Sequence, residues 1–174
     1  MKYLQIYSNN VSHEPITAQM IDDAEAYALW LTKNSDDKQR NFGWARTRRL
    51  CLMAFASAFE DQCPGLKSQF LSYHREYKRF PSKVDFKTPS GKFKLATRGI
   101  ASYKAIGSEI SANLSLKMAD GGADKFIMAV LGTHYVSFVG WYDRQGLDSL
   151  RQGERFRLNE FDSNPMNELW IPKT

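Results

Sequence analysis

Apolar residues recur along this chain with two different periods, and the change from one to the other organises it. Over 15–33, Ile16, Met20, Ala24, Tyr27 and Leu31 fall at helical spacing, with Pro15 suited to a first turn. The polar run Asn34-Ser35-Asp36-Asp37 breaks that helix. A second helix is predicted over about 43–62. Trp44, Leu50, Cys51, Ala54 and Ala58 line one side, which places Arg46, Arg48 and Arg49 in solvent. Pro64-Gly65 stops it. Residues 66–80 fit either period: Phe70, Tyr73, Tyr77 and Phe80 permit a helix, while their aromatic density and the following Pro81 permit a strand.

Beyond residue 83 the period shortens to two. Val84 and Phe86 alternate with Lys83, Asp85 and Lys87, the pattern of a half-buried strand. Pro89-Ser90-Gly91 is a turn, and Phe93 and Leu95 resume the alternation, so 83–97 reads as a hairpin. A helix over about 106–119 is predicted from Ile106, Ile110, Leu114 and Met118, ended by Gly121-Gly122. The run Phe126–Leu131 is continuously apolar, as a central buried strand requires. Gly132-Thr133-His134 turns the chain into a strand over Tyr135–Trp141, and a last strand is predicted near Glu168–Ile171. This order predicts one domain over 1–174, helical up to 62 and sheet-containing from 63 onward. Its class is α/β or α+β, with a central mixed sheet flanked by helices.

Charge adds what periodicity does not. Residues 62–104 hold ten Lys/Arg against two acids, Glu76 and Asp85, a net +8 in a chain of +5, so the remainder sums to −3. A field this uneven attracts polyanions, and two acids inside it need a reason. Cys51 and Cys63 make no disulfide framework, which suits a reducing compartment. His13, His74 and His134 lack the company a zinc site needs. No stretch approaches the ~18–20 apolar residues of a membrane span, and Met1–Tyr7 is too polar for a secretory segment, so a cytoplasmic protein away from membranes is expected. Gly121-Gly122 is no phosphate loop, and Ser57, Ser108 and Ser111 lack a triad context.

Asp85 and Lys87 project from one face of the predicted strand, with Phe86 pointing to the core. A carboxylate there can hold Mg²⁺, the Phe86 carbonyl can add an oxygen ligand, and Lys87 can orient a water or offset charge on a phosphate. Val84-Asp85-Phe86-Lys87-Thr88, followed by a helix and the strands Ala123–Val130 and Tyr135–Trp141, resembles the PD-(D/E)XK (restriction-endonuclease-like) nuclease superfamily over roughly residues 44–171. In small members of that group and their phage-type relatives the motif often reads Val-Asp-Val-Lys-Thr. The resemblance implies an α-β-β-β-α-β core and Mg²⁺- or Mn²⁺-dependent hydrolysis of DNA phosphodiester bonds.

One departure is plain: residues 62–84 contain no aspartate where that family has one, and Glu76 is the only acid there. If Pro81-Ser82 turn a tight hairpin, Glu76 faces Lys87 and Lys78 faces Asp85, clustering Glu76, Asp85 and Lys87. The same geometry makes Asp85–Lys78 and Glu76–Lys87 ordinary cross-strand ion pairs. Glu60 and Asp61 resemble the family's supporting helical acid, or are solvated residues at a helix end. Arg75, Lys78, Arg79, Lys83, Lys92, Lys94, Arg98 and Lys104 form the expected phosphate-binding face, interleaved with Tyr73, Tyr77, Phe80, Phe93 and Tyr103 that can stack on bases. These residues are read first as a Mg²⁺-dependent deoxyribonuclease, with Asp85 and Glu76 as metal ligands, Glu60 and Asp61 as further candidates, and Lys87 on the attacking water. The alternatives are a non-catalytic nucleic-acid-binding protein on the same fold and a phage-type inhibitor of another protein. Pairing into a homodimer is left open.

Overall fold

The computed structural model describes residues 12–34, 42–75, 84–99, 122–148 and 164–171. They form β1 (Ser12–Pro15), α1 (Ala18–Asn34), α2 (Phe42–Phe59), α3 (Leu66–Arg75), β2 (Phe86–Thr88), β3 (Gly91–Gly99), β4 (Lys125–Leu131), β5 (Tyr135–Asp143), α4 (Arg144–Asp148) and a 3-10 turn at Met166–Glu168. The strands make one sheet in the order β1-β5-β4-β3-β2. The β3–β4 pair is parallel and the other pairs are antiparallel. This is the mixed sheet with helices that the sequence predicts. The helix expected at 106–119 falls outside the described residues.

The two periods sort residues as anticipated. Phe86, Phe93, Leu95, Ile127, Ala129, Val136, Phe138 and Trp141 share one core with Leu50, Ala54, Phe55 and Phe59 of α2. Phe55 is its hub, with ring centroids 4.9 Å from Phe59, 5.1 Å from Phe86 and 5.6 Å from Phe138. On β4, Phe126, Met128 and Val130 of the other face are 1%, 3% and 4% exposed. Burial on both faces explains the uninterrupted apolar run. Pairing slips between Met128 and Ala129, where Gly140 and Phe138 are the consecutive partners, so Val139 is the extra residue of a bulge.

Three expectations need correction. Pro15 belongs to edge strand β1, where its missing N–H is tolerated, and α1 begins at Ala18 with the Thr17 hydroxyl accepting the Met20 N–H at 3.2 Å. The strand expected at Glu168–Ile171 is instead the end of the 3-10 turn and a continuing bend. Among the described residues Asn164 alone bridges to Trp141, and Pro165 follows it without a ladder N–H. Met166 and Leu169, three residues apart, plug the core from one side of that turn. Finally, Arg48 and Arg49 of α2 are buried, at 8% and 1% exposure. Arg49 lies between the Tyr27 and Phe70 rings, 4.7 and 4.4 Å from their centroids, and donates to Asp23 at 3.1 Å. Arg46 meets Glu25 at 3.3 Å.

Candidate nucleic-acid interface

β2 pairs with β3 only through Phe86↔Phe93, Lys87↔Lys92 and Thr88↔Gly91. β3 continues to Gly99, so past Phe93 its outer edge has no strand beside it among the described residues. Unpaired backbone at such an edge must find other partners. Asp85 and Arg48 supply them at Leu95. The Leu95 N–H donates to Asp85 Oδ2 at 2.8 Å, and Arg48 Nη1 donates to the Leu95 carbonyl at 3.0 Å. The two caps are joined to each other, with Arg48 Nη2 2.5 Å from Asp85 Oδ1. Their side chains are 9% and 1% exposed. Lys94 Nζ lies 3.8 Å from the same Oδ1. Burial lowers the Lys94 pKa first, Arg48 lowers it further, and Asp85 opposes both.

This occupation bears directly on metal binding at Asp85. Both carboxylate oxygens accept protein donors and two cations stand beside them. A divalent cation would have to displace a guanidinium it also repels. The residues around Asp85 therefore do not fit Mg²⁺ or Mn²⁺. Among the described residues no three His, Cys, Asp or Glu side chains converge as a metal cage. Phe86, whose carbonyl the strand pattern offers as a ligand, pairs with Phe93 and is 2% exposed. Glu76 lies outside the described residues, as do Lys78, Arg79, Lys83, Lys104, Tyr77, Phe80 and Tyr103.

Glu60 has a task of its own. Its Oε1 accepts the Gly65 N–H at 3.0 Å and its Oε2 the Lys67 N–H at 2.8 Å, across the first turn of α3. These N–H groups and the nearby Lys67 hold its carboxyl below the usual range. An acid placed poorly for the end of α2 is placed well for the start of the next helix. Asp61 is exposed beside it.

The basic residues divide by burial. Lys87 and Lys92 are exposed and directly opposed across the hairpin, and among the described residues neither ammonium forms an ion pair. Lys67 is also exposed, Arg98 is half-buried, and Lys94 is 9% exposed, so it belongs to the Asp85 cluster rather than to an open surface. Arg75 closes α3. The outer edge of β2 is held by Gln69, whose amide accepts the Lys87 N–H at 2.8 Å and donates to the Lys87 carbonyl at 2.5 Å. One glutamine side chain thus imitates a neighbouring strand and fixes the backbone from which Lys87 projects.

Sequence reasoning missed Arg48 and Gln69. Arg48 carried a legible signal, since Arg48, Cys51, Phe55 and Phe59 follow the three- and four-residue spacing of a core-facing stripe. Gln69 carried none. Among the described residues no helix is long and apolar enough to cross a membrane. Neither protein-family models, nor curated proteins, nor solved structures contain a match to this chain.

Proposed function

We propose that this chain binds nucleic acid, with DNA as the first candidate, through the β2–β3 hairpin, and does so without metal chemistry at Asp85. The observation that carries the reading is the Lys87–Lys92 pair. Like charges directly opposed across two strands destabilise a sheet. Their retention here, exposed and without ion pairs among the described residues, is accounted for by a polyanion that takes up both charges. The uneven charge of residues 62–104 extends the same field. What favours binding over cleavage is the Asp85 carboxylate, whose oxygens already serve the Leu95 edge and Arg48.

The test is incubation with plasmid and linear DNA, with and without Mg²⁺ or Mn²⁺, beside a binding titration. Salt-sensitive binding with intact DNA is the expected result. Cleavage abolished by EDTA would overturn the non-catalytic reading and restore a metal-dependent nuclease. Absence of any binding would leave the basic window to a protein partner, as in an inhibitor.

A further inference from the structure

The backbone at Lys87 and Lys92 sets how close their side chains stand. Both backbone groups of Lys87 are taken from outside the hairpin, where Gln69 accepts the N–H at 2.8 Å and donates to the carbonyl at 2.5 Å. Both backbone groups of Lys92 are taken from the other side, by Asp124. Its Oδ2 accepts the Lys92 N–H at 2.8 Å, and its own N–H donates to the Lys92 carbonyl at 2.7 Å. Lys87↔Lys92 is therefore the narrow, non-hydrogen-bonded kind of antiparallel pair. The Cα atoms of such a pair lie about 4.5 Å apart, and the two side chains leave one face together.

The turn between them is held as well. The Thr88 hydroxyl accepts the Ser90 N–H at 3.1 Å and donates to the Gly91 carbonyl at 3.1 Å. Gly91 takes a φ of +129°, which favours glycine. Gln69, Asp124 and the turn thus fix the base from which two exposed lysine arms project. Lys94, the next residue on that face of β3, is directed to Asp85 instead. The pair stands by itself as two positive charges above a rigid support.

An internal phosphodiester brings one negative charge to such a pair, so it offsets one ammonium and leaves the other. A terminal phosphate brings close to two charges at pH ~7 and three oxygens that accept hydrogen bonds. Each ammonium has donors only. We infer that Lys87 and Lys92 close together on a single terminal phosphate of the bound nucleic acid, so that the hairpin prefers phosphorylated strand ends. The inference rests on the hairpin reading above and names the phosphate the pair takes. Internal diesters are held by the same ammoniums more weakly.

The experiment is fluorescence anisotropy on the full chain with one single-stranded oligonucleotide carrying a 5′-phosphate, a 3′-phosphate or hydroxyls at both ends. A strand with hydroxyl ends, lengthened to the same total charge, is the control. One phosphorylated form should bind about 2- to 10-fold tighter than that control at low salt. Inorganic phosphate should reduce the preference more than chloride does at matched ionic strength. Lys87→Ala and Lys92→Ala, each alone, should erase the preference, because one ammonium no longer matches a dianion. Neither should lower Tm, since each relieves the like-charge opposition. Equal affinity for the phosphorylated forms and the control, or a preference that survives either single change, overturns the terminal-phosphate site. It overturns that site alone if Lys87→Ala with Lys92→Ala still weakens binding to the strand with hydroxyl ends. Competition by inorganic phosphate without any preference among the strands would assign the pair to free phosphate and overturn the inference. Absence of binding to every form at low salt overturns the hairpin reading and the terminal-phosphate site together.

Discussion

Replacing Asp85 by Asn separates a structural carboxylate from a metal ligand. In the native fold Asp85 Oδ1 faces Arg48 Nη2 at 2.5 Å and Oδ2 takes the Leu95 N–H at 2.8 Å. Asparagine can keep one acceptor but has no charge to offset a guanidinium whose side chain is 9% exposed. Removing one member of a buried ion pair costs about 3–5 kcal/mol, because the remaining charge stays desolvated. For a chain of this length that corresponds to a fall of roughly 6–20 °C in Tm. Urea unfolding followed by circular dichroism would measure it as a lower midpoint at unchanged slope. Arg48→Met combined with Asp85→Leu should cost less than the two single changes added, by about 0.5–3 kcal/mol. It should not restore full stability, since the Leu95 N–H and carbonyl lose both caps. An Asp85→Asn protein within ~0.5 kcal/mol of the parent would refute the reasoning, because surface-like substitutions behave that way.

Four other outcomes are expected from the same geometry. Glu60→Gln should lower Tm at pH 7. The Glu60 carboxyl titrates below its usual value in the fold, so its contribution is full above the unfolded pKa and is lost as pH falls through the folded one. The Tm difference should therefore shrink as pH falls below the usual carboxylate range, and a difference that grows on acidification would contradict the cap. Phe55→Ala should cost about 3–5 kcal/mol in urea unfolding, since it empties the hub of the aromatic core. The Cys51 thiol, pushed up to about 12 by burial, should stay unmodified by a thiol reagent at pH ~8 until urea unfolds the chain; rapid labelling of the native protein would contradict its placement. Lys92→Thr should raise stability by ~0.2–1 kcal/mol while weakening DNA binding, because it relieves the repulsion with Lys87.

Periodicity made most of the architecture legible. The helices at Ala18–Asn34 and Phe42–Phe59, the hairpin, and the doubly buried strand at Lys125–Leu131 all arise from apolar spacing. The misreadings share a cause, which is partners distant in sequence. Pro15 is consistent with a helix start or an edge strand, and only pairing of His13 and Glu14 with β5 decides between them. Arg48 and Arg49 look like solvent-facing cations until Asp85, Asp23 and two aromatic rings are brought to them. At the candidate site the sequence singled out Asp85 by its place in a basic window. It could not disclose that β2 pairs with β3 only as far as Phe93 and leaves the carboxylate an edge to cap at Leu95. Lys92 and Lys94, two residues apart, look equivalent in the sequence, yet one is exposed and the other buried.

The hairpin reading is tested most directly by the salt dependence of DNA affinity, compared between the unaltered chain and Lys87→Ala with Lys92→Ala. Each lysine that neutralises a phosphate adds about one to the slope of log affinity against log salt. Between ~50 and ~200 mM salt the unaltered protein should lose affinity steeply. The double variant should melt no lower than the parent and bind more weakly at low salt, with a slope reduced by about two. An unchanged slope in a folded double variant would contradict the claim that these two ammoniums hold the phosphates.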